Sequence, residues 1–165
     1  MNSPAVLQAA TIVFIGSLIV ATITDIVWLR IPNWIPACIA LLFLVAAVAE
    51  PRSLAWWGSH LGAGGIVLLV GMGVFAWGKI GGGDVKLMTA VALWFGLSPL
   101  PALLLAIGVV GGGVSIACVV LRGVGSGAML EYLGLRAVAL ETGQGVPYAV
   151  AIAVGCWLMA GGLLT

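Results

Sequence analysis

The feature that most constrains this chain is the length of its charge-free runs. No charged side chain precedes Asp25, and none lies between Leu87 and Leu121. Of 165 residues only 7% are charged and 63% are hydrophobic, whereas soluble domains are roughly 25% charged. Such a chain cannot cover a water-facing surface, so its solvent is the lipid bilayer. A hydrocarbon core about 30 Å thick takes roughly 20 apolar residues per helix. The expectation is therefore an all-α, polytopic integral membrane protein of about six transmembrane helices. Residues 1–165 would form one transmembrane domain, with no separate soluble domain beside it. The opening stretch lacks the positive n-region and small-residue cleavage site of a secretory signal and reads as a retained span.

Charges and helix breakers set the spans. The first covers residues 5–24 and ends at Asp25. A tight loop at 28–33 leads to the second, 34–49. Glu50, Pro51, Arg52 and Ser53 form a polar turn before the third, 55–77. The uncharged run 87–121 is too long for one span, and Pro99 and Pro101 would break a continuous helix. It divides into a fourth span, 85–97, and a fifth, 100–121. A longer loop carries Arg122, Glu131, Arg136 and Glu141, and the sixth span is 146–164. Lys and Arg accumulate in cytoplasmic loops. Six spans with both termini outside put Arg30, Lys79, Lys86, Arg122 and Arg136 inside and only Arg52 outside. Asp25 and Asp84, two spans apart, then emerge together on the cytoplasmic side.

Other features have structural explanations. Gly58 and Gly62, and Gly108 and Gly112, have the spacing of small-residue helix contacts. Trp28, Trp34, Trp56, Trp57 and Trp77 sit near span ends, where an aromatic belt is expected. His60, the one histidine, falls near the outer end of span three, away from the aspartates. Residues 128–140 suit an interfacial helix with Glu131 and Arg136 toward water. Cys38, Cys118 and Cys156 lie far apart in apolar runs and read as small buried hydrophobes rather than zinc ligands or a disulfide framework. A net charge of +1 gives no reason to expect nucleic acid.

The chain's only aspartates, Asp25 and Asp84, remain. Asp84 has an ordinary explanation as a carboxylate at a helix N-terminus. Asp25 closes span one at the negative end of the helix dipole, where a carboxylate is disfavoured. Two carboxylates held close together share a proton. The ionised one can take a proton from water while the protonated one polarises a peptide carbonyl, which is the acid–base logic of aspartic proteases. Lys86 nearby would oppose a raised pKa. Gly81, Gly82 and Gly83 let the backbone bend and a substrate strand approach Asp84, or simply form a flexible loop. Taken alone, these residues leave protease, transport and structural roles open.

Gly81-Gly82-Gly83-Asp84-Val85-Lys86-Leu87 resembles the GxGD motif of the type IV prepilin peptidases and its usual continuation. Asp25, followed by five residues and then Ile31-Pro32-Asn33, resembles the family's first motif. Val146-Pro147-Tyr148-Ala149-Val150-Ala151-Ile152 is similar to the proline-aromatic segment that opens its last span. The resemblance implies a membrane aspartyl protease of the bacterial inner membrane with Asp25 and Asp84 as the catalytic pair. Gly81, Gly83, Lys86, Pro32 and Asn33 would be motif support. The implied partners are prepilins or pilin-like proteins, cut at the cytoplasmic face after a short basic leader that usually ends in glycine. The short length most resembles the peptidases of Flp-type tight-adherence pili. Longer members also N-methylate the new terminus and carry a cytoplasmic domain, often with cysteine pairs. This chain has no room for that domain, so S-adenosylmethionine is not expected, nor any other cofactor or metal. The alternatives are an ion- or proton-coupled transporter, disfavoured by aspartates at one rim and no internal repeat, and a non-catalytic membrane subunit of a secretion or pilus machine.

Overall fold

The computed structural model describes residues 3–123 and 145–161. Among them are six helices and no strand: α1 (Ser3–Trp28), α2 (Trp34–Val48), α3 (Leu54–Ala76), α4 (Gly82–Phe95), α5 (Leu100–Gly123) and α6 (Tyr148–Gly161). The all-α expectation holds. The interfacial helix expected at 128–140, with Glu131, Arg136 and the nearby Glu141, lies outside the described residues.

Among the described residues three helices are long and apolar enough to cross a membrane: Ala5–Trp28, Leu54–Ala76 and Leu100–Arg122. The apolar helices Trp34–Val48 and Tyr148–Ala160 are shorter. With 14 residues, α4 rises only about 21 Å, less than a hydrocarbon core. Its C-terminal stop is local: Gly96 takes φ +78°, a left-handed conformation that glycine adopts without a Cβ clash, and Pro99 follows. The expected break between spans four and five falls here.

The two helix ends beside the aspartates differ from the sequence reading. Instead of stopping at Thr24, α1 runs on to Trp28, where the Leu29 N–H bonds the Asp25 carbonyl at 2.8 Å. Leu29 then leaves the helix with φ +49°. And α4 begins at Gly82, three residues before the expected Val85, because Gly81 is its N-cap and Asp84 stands in its first turn. The glycines before Asp84 are thus largely helix rather than a flexible loop.

The helices form a bundle in which α4 packs against α3, α2 and α6, while α1 touches α2 and α6, and α5 pairs with α6. Leu87 and Val91, one turn apart on α4, are fully buried with Ile35 and Ile39, one turn apart on α2. Between apolar helices in lipid, association comes from close packing rather than from exclusion of water. The close approaches are not at the expected glycines. A Cβ on Gly58, Gly108 or Gly112 would meet nothing within 4 Å, and one on Gly62 would only touch Leu97 at 3.4 Å. On Gly64 it would lie 2.5 Å from Leu93 Cδ2, and on Gly71 2.7 Å from Val85 Cγ1. These two glycines face α4, whereas the x-x-x spacing of the others says nothing about which face is covered.

The far end of α4 is closed by α3. His60 Nδ1–H donates to the Leu93 carbonyl at 2.7 Å, and Ser59 Oγ accepts the Leu97 N–H at 3.0 Å. Both satisfy backbone groups that a helix end leaves unpaired. The His60 ring stacks on Trp56 (centroids 3.9 Å apart) and faces Phe43 at 5.7 Å. Beside them the Arg52 guanidinium lies 5.0 Å over Trp56 and pairs with Glu50 at 2.7 Å. The expected separation of His60 from the aspartates is borne out, since Asp84 lies at the opposite end of α4.

Candidate active site

Asp84 is placed by its own helix. From the third position of α4 its Oδ2 accepts the N–H of Gly81 at 3.2 Å, which satisfies a free donor at the helix start. The glycines around it are required by space. A Cβ on Gly81 would stand 2.8 Å from Asp84 Oδ2, and one on Gly83 would stand 3.1 Å from the Cβ of Ile31. The start of α4 therefore presses against the loop that follows α1.

Asp25 is placed by a different element. It lies in the last turn of α1 and is 4% exposed. Its Oδ2 accepts the backbone N–H of Ala149 at 2.9 Å, across 124 residues of sequence. Ala149 is in the first turn of α6, where N–H groups have no intrahelical acceptor and the dipole favours negative charge. The cost of a carboxylate at the α1 C-terminus is offset by the N-terminus of α6. Nothing in the sequence marks Ala149 as a site residue, because a backbone donor leaves no mark in residue type.

Both aspartates line one cavity of about 420 Å³, with Leu29, Arg30, Ile31, Pro32, Asn33 and Gly81 to Gly83 completing its wall. Each carboxylate has one oxygen held by a backbone N–H, and neither second oxygen has a hydrogen bond among the described residues. Asp84 stands at the rim, before the apolar part of α4. Burial first, and then the charge of Asp25, push its pKa from the usual carboxylate range up to about 7, against the Gly81 N–H, which favours the ionised form.

Lys86 is not where its sequence neighbourhood suggests. Two residues after Asp84 it points to another face of the helix, and its ammonium donates to Asn33 Oδ1 at 2.9 Å. It makes no ion pair with either aspartate; the one ion pair among the described residues is Arg52–Glu50. Lys86 and Asn33 thus tie α4 to the α1–α2 loop, and Pro32 lies in the same cavity wall. Among the described residues no group of three or more His, Cys, Asp or Glu could hold a metal ion. Cys38 is half-buried and Cys118 and Cys156 are buried, all three as free thiols.

Residues 12–116 match the model of the type IV leader peptidase family, a stretch that includes both aspartates and both glycine-rich and Pro-Asn segments. The chain belongs to that family. It is also 33% identical over 96 residues to the prepilin leader peptidase/N-methyltransferase of Bacillus subtilis (strain 168). That match takes in 55% of this chain and only 37% of the relative. No solved structure matches the chain.

Proposed function

We propose that the protein is a membrane-embedded aspartyl endopeptidase that removes the short leader from prepilins or pilin-like proteins at the cytoplasmic face of the bacterial inner membrane. The observation that carries this reading is the single cavity into which Asp25 and Asp84 both open, each with one oxygen pinned and the other free. In the reaction, the ionised carboxylate takes a proton from a water held between the free oxygens. The oxygen of that water bonds to the scissile carbonyl carbon, while the protonated carboxyl donates to the carbonyl oxygen. Collapse of the tetrahedral adduct breaks the C–N bond. The leaving nitrogen takes a proton from the carboxyl that received it from the water, and the other carboxylate takes back a proton from a hydroxyl of the adduct, so that the dyad regains its single proton.

Four basic residues support the cytoplasmic orientation. Arg30 lies in the cavity wall, Lys79 and Lys86 flank the glycine turn, and Arg122 at the end of α5 bonds the Gly145 carbonyl just before α6. Arg52 is at the other end with Glu50. This asymmetry is what the positive-inside rule selects. Family membership supports the choice of a prepilin substrate.

The test is co-expression with a tagged prepilin, reading leader removal by gel mobility and N-terminal mass. Asp25→Asn and Asp84→Asn, inserted as well as the wild type, should each lose cleavage by roughly 10²- to 10⁴-fold, the usual worth of a positioned acid or base. Wild-type cleavage by either variant would overturn the dyad and leave transport or scaffolding as the role of this fold.

A further inference from the structure

The first turn of α6 contains no carboxylate, amine, imidazole or thiol, yet its backbone is tied directly to Asp25. The Ala149 N–H donates to Asp25 Oδ2 at 2.9 Å; the Ala149 carbonyl lies 3.5 Å from the hydroxyl of Thr22, one turn before Asp25 on α1, whose closer acceptor is the Leu18 carbonyl at 2.9 Å. Ala149 is fully buried, so no water replaces that donor. We propose that Ala149 is a positioning residue for Asp25, acting through its backbone N–H, and that α5 holds it in place. This inference rests on the reading of Asp25 as half of the catalytic pair.

The support from α5 comes in two places. A Cβ on Gly111 would stand 3.2 Å from the Tyr148 ring, so the absence of a side chain there seats Tyr148 against α5. Further along, the guanidinium of Arg122 bonds the Gly145 carbonyl. The buried Pro147 between these contacts has no N–H to satisfy and a fixed φ suited to a helix entry. Gly145, Pro147 and Tyr148 are thus fixed from one side, and the next residue presents its N–H to the carboxylate from the other. Pinning Oδ2 leaves the other oxygen of Asp25 as the one available to the cavity, in a defined orientation. A carboxylate that lost this anchor would still bind substrate but would place its proton-accepting lone pair at random, and small misplacements of a reacting group are costly in rate.

The argument concerns one hydrogen atom, so the test removes that atom. Cell-free synthesis into nanodiscs can install lactic acid at position 149, which replaces the Ala149 N–H by an ester oxygen and keeps the methyl group. Ala149→Pro also deletes the donor, at a first-turn position where proline is tolerated, and Ala149→Gly keeps it. The probe is a prepilin-like peptide with a basic leader, a glycine and an apolar helix. The ester and Ala149→Pro should lose kcat on the order of 10- to 100-fold, as expected for a hydrogen bond to a charged group, with KM unchanged, while Ala149→Gly stays near wild type. An inserted, monodisperse ester variant with wild-type kcat would overturn the proposal, as would a rise in KM alone. Asp25→Asn and Asp84→Asn run alongside. If they cleave normally, it is the peptidase reading that fails. If they are inactive while the ester is fully active, only the role of Ala149 fails.

Discussion

The two ends of α4 are built on opposite principles. At the far end most polar groups find partners within the fold: His60 takes the Leu93 carbonyl, Ser59 the Leu97 N–H, and Arg52 pairs with Glu50 over the face of Trp56, leaving only its buried Nε without one among the described residues. Aromatic rings fill the remaining space. At the near end glycines precede Asp84, the backbone supplies the donors to both carboxylates, and each carboxylate keeps an oxygen without a partner among the described residues beside a cavity. A buried polar network that is fully satisfied stabilises and fixes a structure, and one left open costs stability. The far end holds the bundle together; the near end gives up some stability to keep groups free for chemistry.

A pair of glycine substitutions, one at each end, tests that contrast most severely. Gly83→Ala places a methyl group 3.1 Å from Ile31 Cβ and displaces the start of α4 from the α1–α2 loop. Cleavage should fall by on the order of 10²-fold, the scale for a reacting group moved by an ångström, with little change in thermal stability. Gly96→Ala forces a side chain into φ +78° and against Ser59 and His60. It should cost about 1–2 kcal/mol in stability and leave kcat of the folded fraction unchanged. The same ranking of losses in both assays for both variants would mean that the two ends are not functionally distinct.

The pH dependence sharpens the contrast at the near end alone. The pKa of Asp84 is raised in the folded protein from the usual carboxylate range to about 7, so the fold binds that proton more tightly than the unfolded chain does. Its contribution to stability is therefore fully present below about 4 and is lost as pH rises through about 7. Thermal unfolding in detergent should show this decline between those limits, and Asp84→Asn should flatten it. Cleavage should fall on the alkaline side of about 7, where Asp84 ionises. A decline of stability that survives in Asp84→Asn would assign the titration to another group.

How much of this could be read from the sequence follows from the kind of group involved. The two aspartates were legible because charges are costly in an apolar chain and the even number of intervening helices puts them on one side. The break at Gly96 to Pro99 was legible because proline ends helices whatever surrounds them. The Ala149 donor was not, because every non-proline residue carries the same N–H. The cap formed by His60 was not, because its partner is again a backbone group. Glycine spacing misled at Gly58, Gly108 and Gly112, since which face of a helix is covered depends on its neighbours. Lys86 misled because closeness in sequence is not closeness on a helix surface.

At the far end, His60→Phe keeps the stacking on Trp56 and Phe43 and removes the donor to Leu93. The carbonyl left without a partner should cost about 1–3 kcal/mol, seen as a lower melting temperature. Cleavage by the folded fraction should be unaffected, because the change is a whole helix length from the aspartates. A kcat defect in His60→Phe would show that strain at one end of α4 reaches the other, and the two ends would then have to be treated as one coupled element.

The smallest effect is expected at the Lys86–Asn33 contact, and it decides what kind of near end this is. Both side chains are exposed, so water can replace either partner, and an exposed charged contact is worth about 0–1 kcal/mol. Lys86→Ala, Asn33→Ala and the double variant should each retain nearly full stability, with a coupling energy in the cycle of less than about 1 kcal/mol. Their cleavage should fall far less than that of Gly83→Ala, because the contact ties the loop to α4 without touching a carboxylate. The neutral Lys86→Gln separates charge from tether. If it alone reproduced the loss of Lys86→Ala, and did so by moving the alkaline limb of the cleavage profile, Lys86 would be acting on the aspartates through its charge. A loss that is shared with Asn33→Ala and leaves the limb in place would instead assign Lys86 to shaping the wall of the cavity.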